Sequence, residues 1–292
     1  MTVMTGQKII DDWTASLAAI GRKASTLEGY AHSIRTMLAW LTANGYDTDP
    51  RTMGAEVAFA LKQYPATEAT QRTYHRNLAQ WASWYGNDAI GKAPILWNRK
   101  TETNVKWITA DQWRMLMAHA GPSERLVLVL GALMGLRGSE IANLTLEDIG
   151  ETTIFIRGKG HGDGLVVRQP MVPEVKAEVD KYIRWRAGRD PRSDRLLIWR
   201  DNEGRRASDT AANPRICMYV RMRTYAAGYG IDFAPHCLRR LYATMLYRRG
   251  VDIMTVSRLM RHASVRTTQM YIQRDREAEY DAVRGLADAL GL

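Results

Sequence analysis

The sequence predicts a mainly α chain with one small β-hairpin, an α+β fold in two domains. Three observations carry this. The first 90 residues show helical periodicity with no convincing strand, periodicity vanishes between residues 91 and 103, and two β-rich runs flank the glycine-dense segment Gly158-Lys159-Gly160-His161-Gly162-Asp163-Gly164. At 292 residues the chain is long enough for two cores, and 46% hydrophobic content argues against wholesale disorder.

In order, residues 7–20 carry Ile9, Ile10, Trp13, Leu17 and Ile20, a helical stripe. Ser25 with Glu28 reads as a capping box ahead of Tyr30, Ile34, Met37, Leu38 and Leu41, and Asn44-Gly45 stops that helix. A third helix covers 53–63 and ends before Pro65. A fourth covers 67–85, with Tyr74, Leu78, Trp81 and Trp84 spaced by three or four. The domains expected are residues 1–92, a linker at 93–106, and residues 107–292. The second domain opens on a capping box, Thr109 with Gln112, followed by an apolar helix over 123–134 behind Gly121-Pro122. Strands are expected at 152–157, 165–172 and 196–199, with helices dominating from Pro173. An amphipathic tail helix is expected from Tyr280, Val283, Leu286, Ala287 and Leu290.

The formal charge of +10 is uneven. Lys+Arg outnumber Asp+Glu by 11 to 9 before residue 104 and by 30 to 22 after it, so the second part carries most of the excess, as expected if it grips a polyanion. Cys217 and Cys237 form neither a CxxC pair nor a short secreted framework, and read as reduced thiols of a cytoplasmic protein. The first residues lack the basic start and long apolar run of a signal peptide, and the most apolar stretch, 126–136, is too short to span a bilayer. No membrane association is expected.

Six polar residues of the second part, Arg137, Lys159, His236, Arg239, His262 and Tyr271, together make a kit for attacking a phosphodiester with a tyrosine. Two guanidiniums can clamp non-bridging oxygens, two imidazoles can exchange protons with phosphate and nucleophile, and a lysine can protonate the leaving oxygen. That chemistry calls for no metal and no cofactor. His236 and Arg239, three residues apart on a helix starting near Pro235, share one face, while Arg240 is turned roughly 100° away toward DNA or solvent. Thr267 and Thr268 shape a turn or bond a phosphate. A phenol ionises near pH 10, so Tyr271 needs cationic or hydrogen-bonding neighbours to act as a nucleophile. Each residue alone is ordinary: an arginine capping a helix, a core histidine, a Gly-Lys-Gly turn.

Their local contexts are Gly135-Leu136-Arg137-Gly138-Ser139-Glu140, Gly158-Lys159-Gly160, Pro235-His236-Cys237-Leu238-Arg239-Arg240, and Leu259-Met260-Arg261-His262 followed nine residues on by Tyr271. In that order and spacing they resemble the tyrosine recombinase (phage integrase, Xer-like) family. The family commonly has glycine before this histidine, where the chain has Arg261. The resemblance implies a helical, SAM-like core-binding domain followed by a catalytic domain, with the six residues as its catalytic set and Lys159, or alternatively His161, as general acid. It implies site-specific DNA recombination, whether integration, excision or resolution, through a 3′-phosphotyrosyl intermediate. The implied partners are double-stranded DNA with inverted-repeat core sites, a homotetramer on paired sites, and accessory DNA-bending proteins, with action on the nucleoid in the cytoplasm. Two other readings stay open: type IB topoisomerase-like relaxation, and a non-catalytic DNA-binding regulator with the same fold.

Overall fold

The computed structural model describes residues 3–98, 106–157, 166–189, 193–199, 213–262, 264–269 and 284. The chain divides into two compact units, Met1–Thr103 and Asn104–Leu292.

The first unit is helical: α1 Val3–Ala19, α2 Ala24–Ala43, α3 Ala55–Ala60 continued by a 3-10 turn Leu61–Gln63, α4 Glu68–Trp84 and α5 Ala89–Lys92. The apolar stripes meet in one core in which Ile10, Trp13, Ile34, Met37, Leu78 and Trp81 are buried. One polar pair is buried with them, Asn77 Nδ2 donating to Ser33 Oγ at 3.1 Å. Lys23, not Ser25, stands at the N-cap of α2, and Ser25 lies inside the helix. Thr67 does cap α4, accepting from the Thr70 amide. The short α5 went unforeseen because it spans only one turn, but it buries Ile90. Beyond it Ala93 and Ile95 pack on the same core, and Lys62 and Arg72 lie 4.9 and 5.5 Å from the Trp97 ring centroid.

The second unit contains α6 Ala110–His119, α7 Pro122–Leu133, α8 Gly138–Asn143, β1 Thr153–Arg157, β2 Val166–Pro170, α9 Pro173–Ala187, and then α10 Pro214–Ala227, α11 Pro235–Arg248, α12 Ile253–Leu259 and α13 Val265–Gln269. The capping box of α6 forms as read, with Thr109 Oγ1 accepting from the Gln112 amide at 3.1 Å and Gln112 Oε1 accepting from the Thr109 amide at 2.9 Å. Helix α7 is buried nearly all round and packs against α9 and α11. A Cβ placed on its Gly131 would stand 2.5 Å from Leu238 of α11, so the absent side chain sets how closely these helices approach. Strands β1 and β2 are antiparallel, Thr153 opposite Pro170 and Arg157 opposite Val166.

The strand expected at 196–199 is not formed. All four residues are buried, but only Arg195 makes an isolated bridge, to Thr145. The backbone of the run is satisfied by other means: the Leu196 amide donates to the Leu144 carbonyl, the Ile198 amide to Tyr182 Oη, and the Ile198 carbonyl accepts from Ser123 Oγ. Side chains replace the ladder. Among the described residues no helix is long and apolar enough to cross a membrane. The expected tail helix lies outside the described residues.

Candidate active site

Helix α7 ends at Leu133, and Gly135 reverses the chain with φ +61°. Leu136 is then fully buried, and Arg137 follows at the N-cap of α8. Its guanidinium is therefore mounted on a short, anchored junction. Arg137 Nη1 donates to Glu140 Oε1 at 2.7 Å, its amide donates to Glu140 Oε2 at 2.8 Å, and Nη2 donates to the Arg261 carbonyl at 3.3 Å. The side chain keeps 30% of its surface exposed, so one side is open to a ligand. Glu140 is buried, which alone would raise its pKa. The charge of Arg261 and the hydrogen bonds and charge of Arg137 outweigh burial and hold it below the usual carboxylate value.

Arg239, on the second turn of α11, is fully buried. It donates through Nη1 to the Gly135 carbonyl and through Nη2 to the Met260 carbonyl, joining the turn after α7 to the turn after α12. His236, one turn earlier, stays exposed. The two residues differ in depth more than a shared face suggests, because α11 enters the core within its first two turns. Partial desolvation, then the charges of Arg240, Arg239, Arg137 and Arg215, hold the His236 pKa below the ordinary imidazole value. Arg240 is not directed to open solvent: it is half-buried, donates to the Lys106 carbonyl at 2.9 Å and lies 5.7 Å from the Trp107 ring centroid.

After α12, Arg261 adopts φ +54° and the His262 amide donates to the Ser257 carbonyl. The backbone here takes the left-handed turn that a glycine would supply, so arginine in place of glycine leaves the turn intact. His262 Nδ1 lies 2.8 Å from Oγ1 of Thr268, which is fully buried on α13. Burial first, then Arg239, Arg137 and Arg261, push its pKa down to about 4, so the ring is neutral at pH 7. Thr268 is thus a support for the imidazole. Cys237, next to His236, is a buried free thiol donating to the Lys106 carbonyl, and Cys217 is also free.

Four of the six residues, Arg137, His236, Arg239 and His262, are brought to one place by the turn after α7, the start of α11 and the turn after α12. Lys159, its alternative His161, and Tyr271 lie outside the described residues. Sequence reasoning missed Glu140 and Arg261 as partners of Arg137. The capping position of Glu140, three residues after Arg137, was the available signal for the first. Among the described residues no group of three His, Cys, Asp or Glu side chains is placed to hold a metal ion. Guanidiniums fixed by carbonyls and a carboxylate, beside neutral imidazoles, form an anion site with proton-transfer groups at its edge.

Two fixed arginines beside two histidines on a mainly helical unit fit a protein that handles an anion such as a phosphate ester. Residues 106–278 match the phage integrase family, and the chain belongs to that family as a tyrosine-type site-specific DNA recombinase. It is 34% identical over 253 residues to tyrosine recombinase XerA of Pyrococcus furiosus, covering 84% of this chain and 77% of that protein. It is 26% identical over 270 residues to XerA of Thermococcus kodakarensis, covering 90% of each. Among solved structures, a lambda integrase dimer bound to a core site is similar with a TM-score of 0.67 at 16% identity, over 94% of this chain and 96% of that one. The Tn1549 transposon integrase in complex with circular intermediate DNA gives 0.65 at 17% identity, over 98% and 99%. These likenesses are of fold.

Proposed function

We propose that this recombinase cuts and rejoins DNA one strand at a time through a covalent link to Tyr271. The observation that carries the proposal is the fixing of Arg137 and Arg239 at one junction, Arg239 through the Gly135 and Met260 carbonyls and Arg137 through Glu140 and the Arg261 carbonyl. Arg137, with one side exposed, can meet a non-bridging oxygen of a scissile phosphate, and Arg239, fully buried, adds its fixed positive charge at the same junction, so that together they stabilise the charge that grows in the transition state. The Tyr271 oxygen attacks phosphorus, its proton passing to an imidazole of the His236 and His262 pair. The bond from phosphorus to the 5′ oxygen breaks, and Lys159 supplies the proton that this oxygen takes. The 3′-phosphotyrosyl link conserves the bond energy, and a 5′ hydroxyl from a partner duplex reverses the step to exchange strands.

In this reading residues 1–92 form the core-binding domain, 93–106 the linker and 107–292 the catalytic domain. The protein works as a homotetramer on two duplex sites with inverted-repeat cores, on the nucleoid of the cytoplasm, with accessory DNA-bending proteins. The lambda integrase dimer, bound to a core site, supports DNA as the partner. The tail after residue 275 docks on the neighbouring protomer, which ties assembly to cleavage.

The test is a covalent-adduct gel with the trapped DNA sequenced. Wild-type protein is expected to yield an adduct at one site, and Tyr271→Phe none, with specific binding nearly intact because only the nucleophilic oxygen is lost. An adduct from Tyr271→Phe would remove Tyr271 as nucleophile. An adduct spread over all sequences would favour relaxation over recombination.

A further inference from the structure

Among the described residues Arg261 is the one non-glycine with positive φ. Glycine takes that region without steric cost, whereas an L side chain is disfavoured there. The arginine is nevertheless closely held. Its side chain is 10% exposed, Nη2 donates to Glu140 Oε2 at 2.7 Å, and Nη1 donates to Gln169 Oε1 on β2 at 2.6 Å. A disfavoured conformation is thus kept by a side chain whose fork spans acceptors on two different elements. Retained strain of this kind points to a use.

The acceptors show what the use is. Glu140 is a buried carboxylate that also bonds Arg137 through both the guanidinium and the amide. With Arg137 alone, carboxylate and guanidinium would cancel, and little attraction for an anion would remain. Arg261 brings a second guanidinium, so the trio carries one net positive charge, and the exposed member of the trio is Arg137. Arg261 also offers its backbone carbonyl to Arg137 Nη2. One residue therefore holds Arg137 twice, directly through the main chain and indirectly through Glu140.

We infer that Arg261 is a positioning residue for Arg137: its guanidinium neutralises Glu140 and leaves the charge of Arg137 available to the scissile phosphate. The inference rests on the proposed clamping role of Arg137. Arg261→Gly is the informative variant, since it keeps the turn and the carbonyl, relieves the backbone and removes the side chain that bonds Glu140 and Gln169. On the site recovered by adduct trapping, the rate of adduct formation at saturating DNA is expected to fall about tenfold, with DNA affinity changed by less than about threefold. Arg261→Lys restores the charge but cannot span both acceptors, and should recover part of the rate. In an Arg137→Lys background, Arg261→Gly should cost less than about twofold, because the residue it acts through is already altered. A wild-type rate for Arg261→Gly, or the same loss in both backgrounds, would overturn the inference.

A second readout needs no turnover. In nitrogen-15 spectra of the free full-length chain, with the Arg137 signal assigned by its loss in Arg137→Lys, guanidinium proton exchange of Arg137 should slow about tenfold in Arg261→Gly, because Glu140, no longer shared with Arg261, holds Arg137 alone. Unchanged exchange overturns the inference even if wild-type protein makes no adduct. Slowed exchange without a wild-type adduct upholds the linkage and sinks only the recombinase clamp, and quickened exchange overturns the inference. If Arg261→Gly does not fold, both measurements fall to Arg261→Lys, where intermediate values are expected and wild-type values overturn the inference.

Discussion

Gly135→Ala perturbs the candidate site without touching any proposed catalytic side chain. Gly135 sits at φ +61°, and a Cβ there would stand 2.5 Å from Cδ1 of Tyr242 on α11. The left-handed conformation costs an alanine about 1–2 kcal/mol. Displacing a buried aromatic ring in a packed core costs about 1–3 kcal/mol more. Reduced freedom of the unfolded chain returns about 0.4–1 kcal/mol. The net destabilisation centres on about 3 kcal/mol, which for a unit of this size lowers Tm by about 6–12 °C. Because the Gly135 carbonyl accepts from Arg239, the shift should also reach the clamp. Adduct formation at 25 °C should therefore fall in protein that circular dichroism shows to be fully folded. Calorimetry of the full chain beside the adduct assay decides the matter. A Tm within about 1 °C of wild type would refute the steric reasoning, and a lowered Tm with unchanged cleavage would refute the link from Gly135 to Arg239.

Arg137→Ala should cost about 3 kcal/mol of transition-state stabilisation, roughly a hundredfold or more in cleavage rate, while the fold survives because Glu140 keeps Arg261; wild-type cleavage would count against the clamp. For His262, the folded pKa of about 4 lies below the ordinary 6.5, so between these values the unfolded chain binds a proton that the folded chain does not. Stability should thus be fully present above pH 6.5 and fall as pH drops toward 4, with His236 adding in the same direction. Urea midpoints across that window should fall less steeply for His262→Asn; an identical slope would contradict the burial argument. Lys159→Ala should cleave ordinary DNA slowly and recover on a substrate with a 5′-bridging sulfur, which leaves without a proton. Recovery with His161→Ala instead would reassign the general acid.

What was legible in the sequence was local or periodic. The Thr109 and Gln112 capping box needs three residues and formed as read, and the stripe through Ile10, Trp13 and Leu17 names the side chains that are buried. The failures were tertiary. Residues 196–199 have the composition of a strand, but Tyr182 and Ser123, distant in sequence, supply their hydrogen bonds. Ser25 carries a capping signature, yet α2 begins one residue before it. At the candidate site, spacing correctly brought His236 and Arg239 onto one helix but could not tell that one is exposed and the other fully buried. Arg261 read as a departure from a glycine pattern, because nothing local announces that Glu140 lies across from it, 121 residues earlier in the chain.

The burial of Arg239 changes what an immature copy of this protein can do. Its guanidinium ties the turn at Gly135 to the turn at Met260, so the proposed phosphate grip comes into being only when two segments far apart in sequence have met. A chain still leaving the ribosome, or one trapped in a wrong conformation, lacks the clamp altogether. Competence of the site is thereby tied to completion of the fold, and this coupling requires no separate inhibitor.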